Sequence, residues 1–131
     1  MMRINEENYV DSAEKAIKEL AQRQDNRGRP IPIVTTSKIR NLLAMSADIY
    51  NEVVNSKDEK LNADIIGRIN YMKLRFYYEA GREKTVKEFL EKADIFNIIK
   101  EINGSRKNYI LFSHYLEALV AFRKYYGGND D

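Results

Sequence analysis

The sequence predicts an all-α protein: a compact bundle of five helices, or six if a bend at Asp94 divides the fourth, with the last helix at its centre. Three observations predict it. Apolar residues recur at steps of three and four through most of the chain, the period of a helix with one buried face. Two prolines and six glycines are the only strong breakers in 131 residues. The final periodic segment, 106–126, is apolar on almost every side, as a helix enclosed by others must be. A chain of this length forms one domain with a real core. Residues 1–32 are expected to supply an N-terminal helix and linker, 33–126 the core, and 127–131 a solvated tail.

In order, residues 6–24 place Tyr9, Ala13, Ile17, Leu20 and Ala21 on one helix face. Gly28, Pro30 and Pro32 then break the helix. This is the one clear linker, so the first helix is expected to be loosely held or exchanged with a neighbour. Thr35, Thr36 and Ser37 each offer a cap for a second helix that buries Ile39, Leu42, Leu43, Ser46, Tyr50, Val53 and Val54. After a polar break at 55–58, a third helix carries the seam Leu61, Ile65, Ile69, Met72, Phe76 and Ala80, and should end near Gly81. Thr85 can cap the fourth, which holds Val86, Phe89, Leu90, Ala93, Phe96, Ile99 and Ile102. Beyond a break at 103–105, the last helix sets Ile110, Ala118, Phe122 and Tyr125 against Phe112, Leu116, Leu119 and Val120. It is either the bundle's centre or a helix whose second face another subunit covers.

The third helix has a second pattern. Arg68, Tyr71, Arg75, Tyr78 and Arg82 fall within an arc of about 80° at about 100° per residue. They alternate guanidinium and phenol beside the apolar seam. Arginine offers forked donors to phosphate oxygens, and an aromatic ring offers a face to a base or sugar, so the stripe suits single-stranded nucleic acid. From spacing alone, the plainer account is the stronger one: tyrosines at the edge of a core, with arginine stems laid along it. Lys38 and Arg40 raise a similar choice. Cations in the first turn of a helix oppose its dipole, and either solvent screens them or they hold a phosphate with the free N–H groups of that turn.

Net charge is only +2, so nothing about the whole chain argues for nucleic acid. Distribution says more. Arg106, Lys107, Arg123 and Lys124 face a single acid, Glu117, in the last helix, so a basic patch is expected from the third and last helices.

No cysteine is present, which removes disulfides and thiolate metal sites. No apolar run approaches the ~20 residues needed to span a membrane, and the N-terminus lacks the apolar middle of a secretory signal. A soluble cytoplasmic protein is therefore expected. The carboxylates are scattered on lysine-bearing faces, and no glycine-rich phosphate loop occurs. The single histidine, His114, lies on an apolar face and reads as a core residue. Its separation from Arg106 by seven residues does not fit the Arg-to-His spacing of four to six found in helical ribonucleases of the HEPN type. No catalytic constellation, cofactor, metal or small-molecule substrate is expected.

Three blocks together resemble the small helical subunit of type III-A CRISPR–Cas (Csm) interference complexes. Residues 35–43, TTSKIRNLL, are similar to the family's Thr-Ser-x-[Ile/Leu]-Arg-x-[Leu/Ile]-Leu. Residues 72–82, MKLRFYYEAGR, are similar to its basic, Pro, basic, apolar run followed by Tyr-x-x-[Ala/Gly]-Arg, with Leu74 in place of the usual Pro. Residues 115–124, YLEALVAFRK, resemble its Phe-Glu-Ala-x-[Val/Ile]-Ala-[Tyr/Phe]-[His/Arg]-Lys, with Leu116 where an aromatic often precedes Glu. Order and spacing from 33 to 126 make the match specific, and residues 1–32 lie outside it.

The resemblance implies a non-catalytic subunit of an RNA-guided complex in antiviral and plasmid defence. Copies of it stack opposite the subunits that hold the guide, and they contact the backbone of single-stranded target RNA without reading sequence. Partners would be the other subunits of the ribonucleoprotein, copies of itself and target RNA. Carried over by position, Lys38, Arg40, Lys73, Arg75, Tyr78 and Arg82 become RNA-contact candidates. Arg68 and Tyr71 are added from the stripe alone. With the family in view the RNA account is favoured. The alternative is a purely structural docking module that uses the apolar last helix and the loose first helix.

Overall fold

Six helices follow one another in the computed structural model, which describes residues 3–127: α1 (Tyr9–Ala21), α2 (Thr36–Asn55), α3 (Ala63–Arg82), α4 (Lys84–Lys92), α5 (Ile95–Ile102) and α6 (Arg106–Tyr126). The expected tail beyond Gly127 lies outside the described residues. The sixth helix arises at Asp94, whose left-handed backbone (φ 60°) separates α4 from α5. A short polar side chain tolerates that conformation far better than a branched apolar one. Among the described residues there is no strand.

The core is built round α6, which packs on α1, α2 and α5. It buries Tyr109, Leu111, Phe112, Tyr115, Leu116 and Leu119. The two tyrosines are enclosed because their hydroxyls find backbone acceptors. Tyr109 donates to the carbonyl of Ser46 and Tyr115 to that of Ala93, each at 2.8 Å. Burial pushes both phenols well above their ordinary range. His114 is half-buried between the rings of Tyr9 and Tyr50, with both centroids 6.2 Å away.

Packed on α2 and α4, α3 forms the outer edge of the bundle. Its whole predicted seam, from Leu61 to Ala80 at steps of three and four, is buried. Each such aliphatic or aromatic side chain contributes roughly 1.5–3 kcal/mol on burial, so the seam fixes the rotation of α3 about its axis. The caps are local. Thr35 Oγ1 accepts from Lys38 N–H at 3.2 Å, Asn62 Oδ1 from Ile65 N–H at 2.8 Å, and Ser105 Oγ from Asn108 N–H at 3.2 Å.

Several expectations are corrected. The first helix is docked on its own bundle through Ala13, Ala16, Ile17 and Leu20. Tyr126 Oη donates to Glu14 at 2.6 Å, and Glu19 and Glu88 pair with Lys92 and Arg23. The linker is folded: Asp25 accepts from the N–H groups of Arg27 and Arg29, and Ile31 N–H donates to the Arg23 carbonyl. Most of α6 is covered from within by α1, α2 and α5, and a stripe of Lys107, Glu117, Ala121, Lys124 and Tyr125 stays exposed. α3 ends near Gly81 as expected, at Arg82, but Gly81 is not its cap: the extended Glu83 (φ −136°) turns the chain into α4. Thr85 sits inside the first turn of α4 and does not cap it.

The basic cluster of α6 also divides differently. Arg123 is buried, and donates to the carbonyls of Val34 and Gly127 at 2.7 and 2.6 Å. Arg106 turns onto the end of α2, donating to the carbonyls of Val53, Val54 and Ser56. Both guanidiniums satisfy backbone that would otherwise lack donors. The expected patch therefore does not draw on α6 through these two residues.

Candidate nucleic-acid interface

The buried seam of α3 leaves its arginine–tyrosine stripe facing outward, alongside α2. Tyr71 and Tyr78 are each 55% exposed, so neither ring is a core edge. The cations around them reach the surface too, Arg75 by 42% and Arg82 by 58% of the side chain.

Two grooves run along the junction of α2 and α3. The larger, about 420 Å³, is lined by Lys38, Asn41, Leu42 and Met45 of α2, by Arg75, Phe76, Glu79 and Arg82 of α3, and by Glu83 and Val86. The smaller, about 340 Å³, is lined by Met45, Asp48, Ile49, Gly67, Arg68 and Tyr71. Met45 lines both, so the two adjoin, and together they are called the trough.

Within it the charges are arranged in pairs. Glu79 takes Arg75 Nη2 on one carboxylate oxygen at 3.1 Å and Arg82 Nη1 on the other at 3.3 Å. The same two guanidiniums stand 5.0 and 5.7 Å from the ring centroid of Tyr78, close enough for cation–π attraction. Across the trough, Lys38 pairs with Glu83, and Arg68 pairs with Glu52.

Of the eight residues singled out from the sequence, five line the trough, Lys38, Arg68, Tyr71, Arg75 and Arg82, and Tyr78 stands beside it against Arg75 and Arg82. Two lie elsewhere. Lys73 lies half a turn round α3 and lines a different groove with Ile66, Ile69, Ile99, Lys100 and Ile102. Arg40 is exposed on the first turn of α2, about 200° round from Lys38, and lines neither groove. Sequence reasoning missed Glu52, Glu79 and Glu83. Glu79 was within reach, four residues after Arg75 and three before Arg82, spacings that bring side chains together on a helix. The other two pair across helices and needed the fold.

The trough has donors and rings but no assembled acid–base machinery. Among the described residues no three His, Cys, Asp or Glu side chains are grouped to hold a metal ion. Nor is any helix among them long and apolar enough to cross a membrane.

The family model described as Csm2 Type III-A matches residues 12–129, beginning inside α1 and so extending beyond the blocks that first suggested the family. A Streptococcus thermophilus protein named CRISPR system Cms protein Csm2 is 42% identical over 127 residues, 97% of this chain and 98% of its own. Its namesake from Enterococcus italicus is 36% identical, over 92% of this chain and 91% of its own. That from Mycobacterium tuberculosis is 30% identical, over 98% and 99%. The chain thus belongs to the Csm2 family, a subunit of type III-A CRISPR–Cas systems.

Proposed function

We propose that the protein is a non-catalytic small subunit of a cytoplasmic RNA-guided effector complex and holds the backbone of target RNA in the trough between α2 and α3. The observation that carries this reading is the convergence of Lys38, Arg68, Arg75 and Arg82 with Tyr71 on the adjoining grooves between α2 and α3, with Tyr78 exposed beside Arg75 and Arg82. Cations on long side chains suit phosphate oxygens, and their placement on one helix edge fits a strand running along it. Bases would then stay free to pair with the guide, which carries the sequence information.

The docking alternative is weakened at α1, which packs on its own bundle, while α6 keeps an exposed stripe that includes Glu117 and Tyr125. Leu74, 62% exposed and next to the stripe on α3, is where contact with other subunits or with further copies fits best.

The experiment is target binding by the reconstituted complex carrying Arg75→Glu, measured with several unrelated guide–target pairs. Uniform weakening is expected, because a phosphate contact is blind to sequence. Unchanged retention, or a loss confined to particular sequences, would refute the reading.

A further inference from the structure

The trough carries little net charge. Its lining sets four positive charges, on Lys38, Arg68, Arg75 and Arg82, against three negative ones, on Asp48, Glu79 and Glu83, and Glu52 pairs with Arg68 from outside the lining. All four cations are held by a carboxylate, Glu79 serving two of them. By contrast Lys73 and Arg40, the two candidates outside the trough, have no ion-pair partner among the described residues.

A carboxylate and a phosphate oxygen compete for the same N–H donors in the same geometry. RNA phosphates entering the trough must compete with Glu79 and Glu83 for their cations, and a trough so nearly balanced in charge exerts little long-range pull on a polyanion. We infer that these glutamates make the trough selective for RNA already positioned by guide pairing, by denying it to unguided strands. The inference rests on the RNA reading above. Each copy grips weakly, and a row of copies along a strand held by base pairing grips through summed contacts. A stray strand meeting one subunit must pay the full exchange without that help.

Glu79 has a second effect, since it also orients Arg75 and Arg82 on either side of its own position. The neutral isostere Glu79→Gln keeps the shape and can still accept from one guanidinium. Glu83→Gln does the same for Lys38. Neither disturbs the core, because these pairs are partly solvated.

The test uses the purified full chain and an unstructured oligouridine, followed by fluorescence anisotropy over a salt series. The double variant Glu79→Gln/Glu83→Gln should bind about fivefold or more tightly than the native protein, taking two- to fivefold per exposed pair released. Its log K against log salt should be steeper by about one unit, the mark of one or two added phosphate contacts. Adding Arg75→Glu should abolish the gain. The double control Glu6→Gln/Glu117→Gln, an equal charge change on exposed surface away from the trough, should give none. Equal or weaker binding by the trough double variant would overturn the inference, as would an equal gain from the double control, which would reduce the effect to net charge. The RNA reading fails separately, if Arg75→Glu leaves target retention by the assembled complex unchanged.

Discussion

The buried guanidinium of Arg123 donates from Nε to the carbonyl oxygen of Val34 at 2.7 Å, tying the end of α6 to the residue before the cap of α2. A second donor, Nη1, reaches the Gly127 carbonyl at 2.6 Å. Arg123→Met keeps much of the apolar stem and removes both contacts. With two acceptors losing these donors, it should cost about 2–4 kcal/mol. In urea the midpoint should fall with the slope m unchanged. A loss under ~0.5 kcal/mol would mean that solvent or a rearranged backbone replaces the guanidinium at little cost.

That contact also marks the limit of what the sequence discloses. Helical period located the α3 seam residue by residue, because the pattern depends only on which side chains leave water. It likewise put Arg68, Tyr71, Arg75, Tyr78 and Arg82 on one edge. Period says nothing about which cation reaches which distant carbonyl. Arg106 and Arg123 therefore read as surface charge although both are bound to backbone 50 to 89 residues away. Lys73 was grouped with Arg75 by position in a family motif, although two residues along a helix place side chains about 200° apart. The docking of α1 was hidden for a further reason: Gly28, Pro30 and Pro32 announce a break in the helix but not the Asp25 turn that folds the break back on itself.

That turn should respond to acid. The N–H groups of Arg29 and then Arg27 hold the Asp25 carboxylate below its ordinary pKa of 3.8. A carboxylate with a lowered folded value contributes stability above 3.8, and the contribution is lost as pH falls through the lower folded value. A carbon-detected NMR titration of Asp25 should thus show a midpoint under 3.8. Asp25→Ala should accelerate tryptic cleavage after Arg27 at neutral pH while leaving the helical circular dichroism intact. A midpoint at or above 3.8 would show that the turn is open in solution.

The separation of Lys73 from Arg75 gives a paired prediction. Lys73→Glu lies on the α5 side of α3, and Arg75→Glu in the trough. Retention of target RNA by the assembled complex should fall at least fivefold with the second, because the reversed charge repels the phosphate that the native guanidinium would hold. The first should change it less than twofold. If the two reversals act equally, the strand follows the α5 side as well, and the trough is not its only path.

Tyr78 supplies the sharpest division between two uses of an aromatic ring. Its face is shared with Arg75 and Arg82, so the ring serves to hold two guanidiniums in place, with bases left unstacked. An exposed cation–π contact contributes ~0.5–1 kcal/mol. Tyr78→Phe should therefore bind target RNA as the native protein does, and Tyr78→Ala should weaken each site about two- to fivefold. Stacking on a base would contribute ~1–3 kcal/mol and would need the base to be present. A target with abasic positions opposite the trough separates the cases. If Tyr78→Ala weakens binding to intact and abasic strands by the same factor, the ring acts through the arginines. If the abasic strand is indifferent to the substitution, the ring stacks a base, and the bases are not all left to the guide.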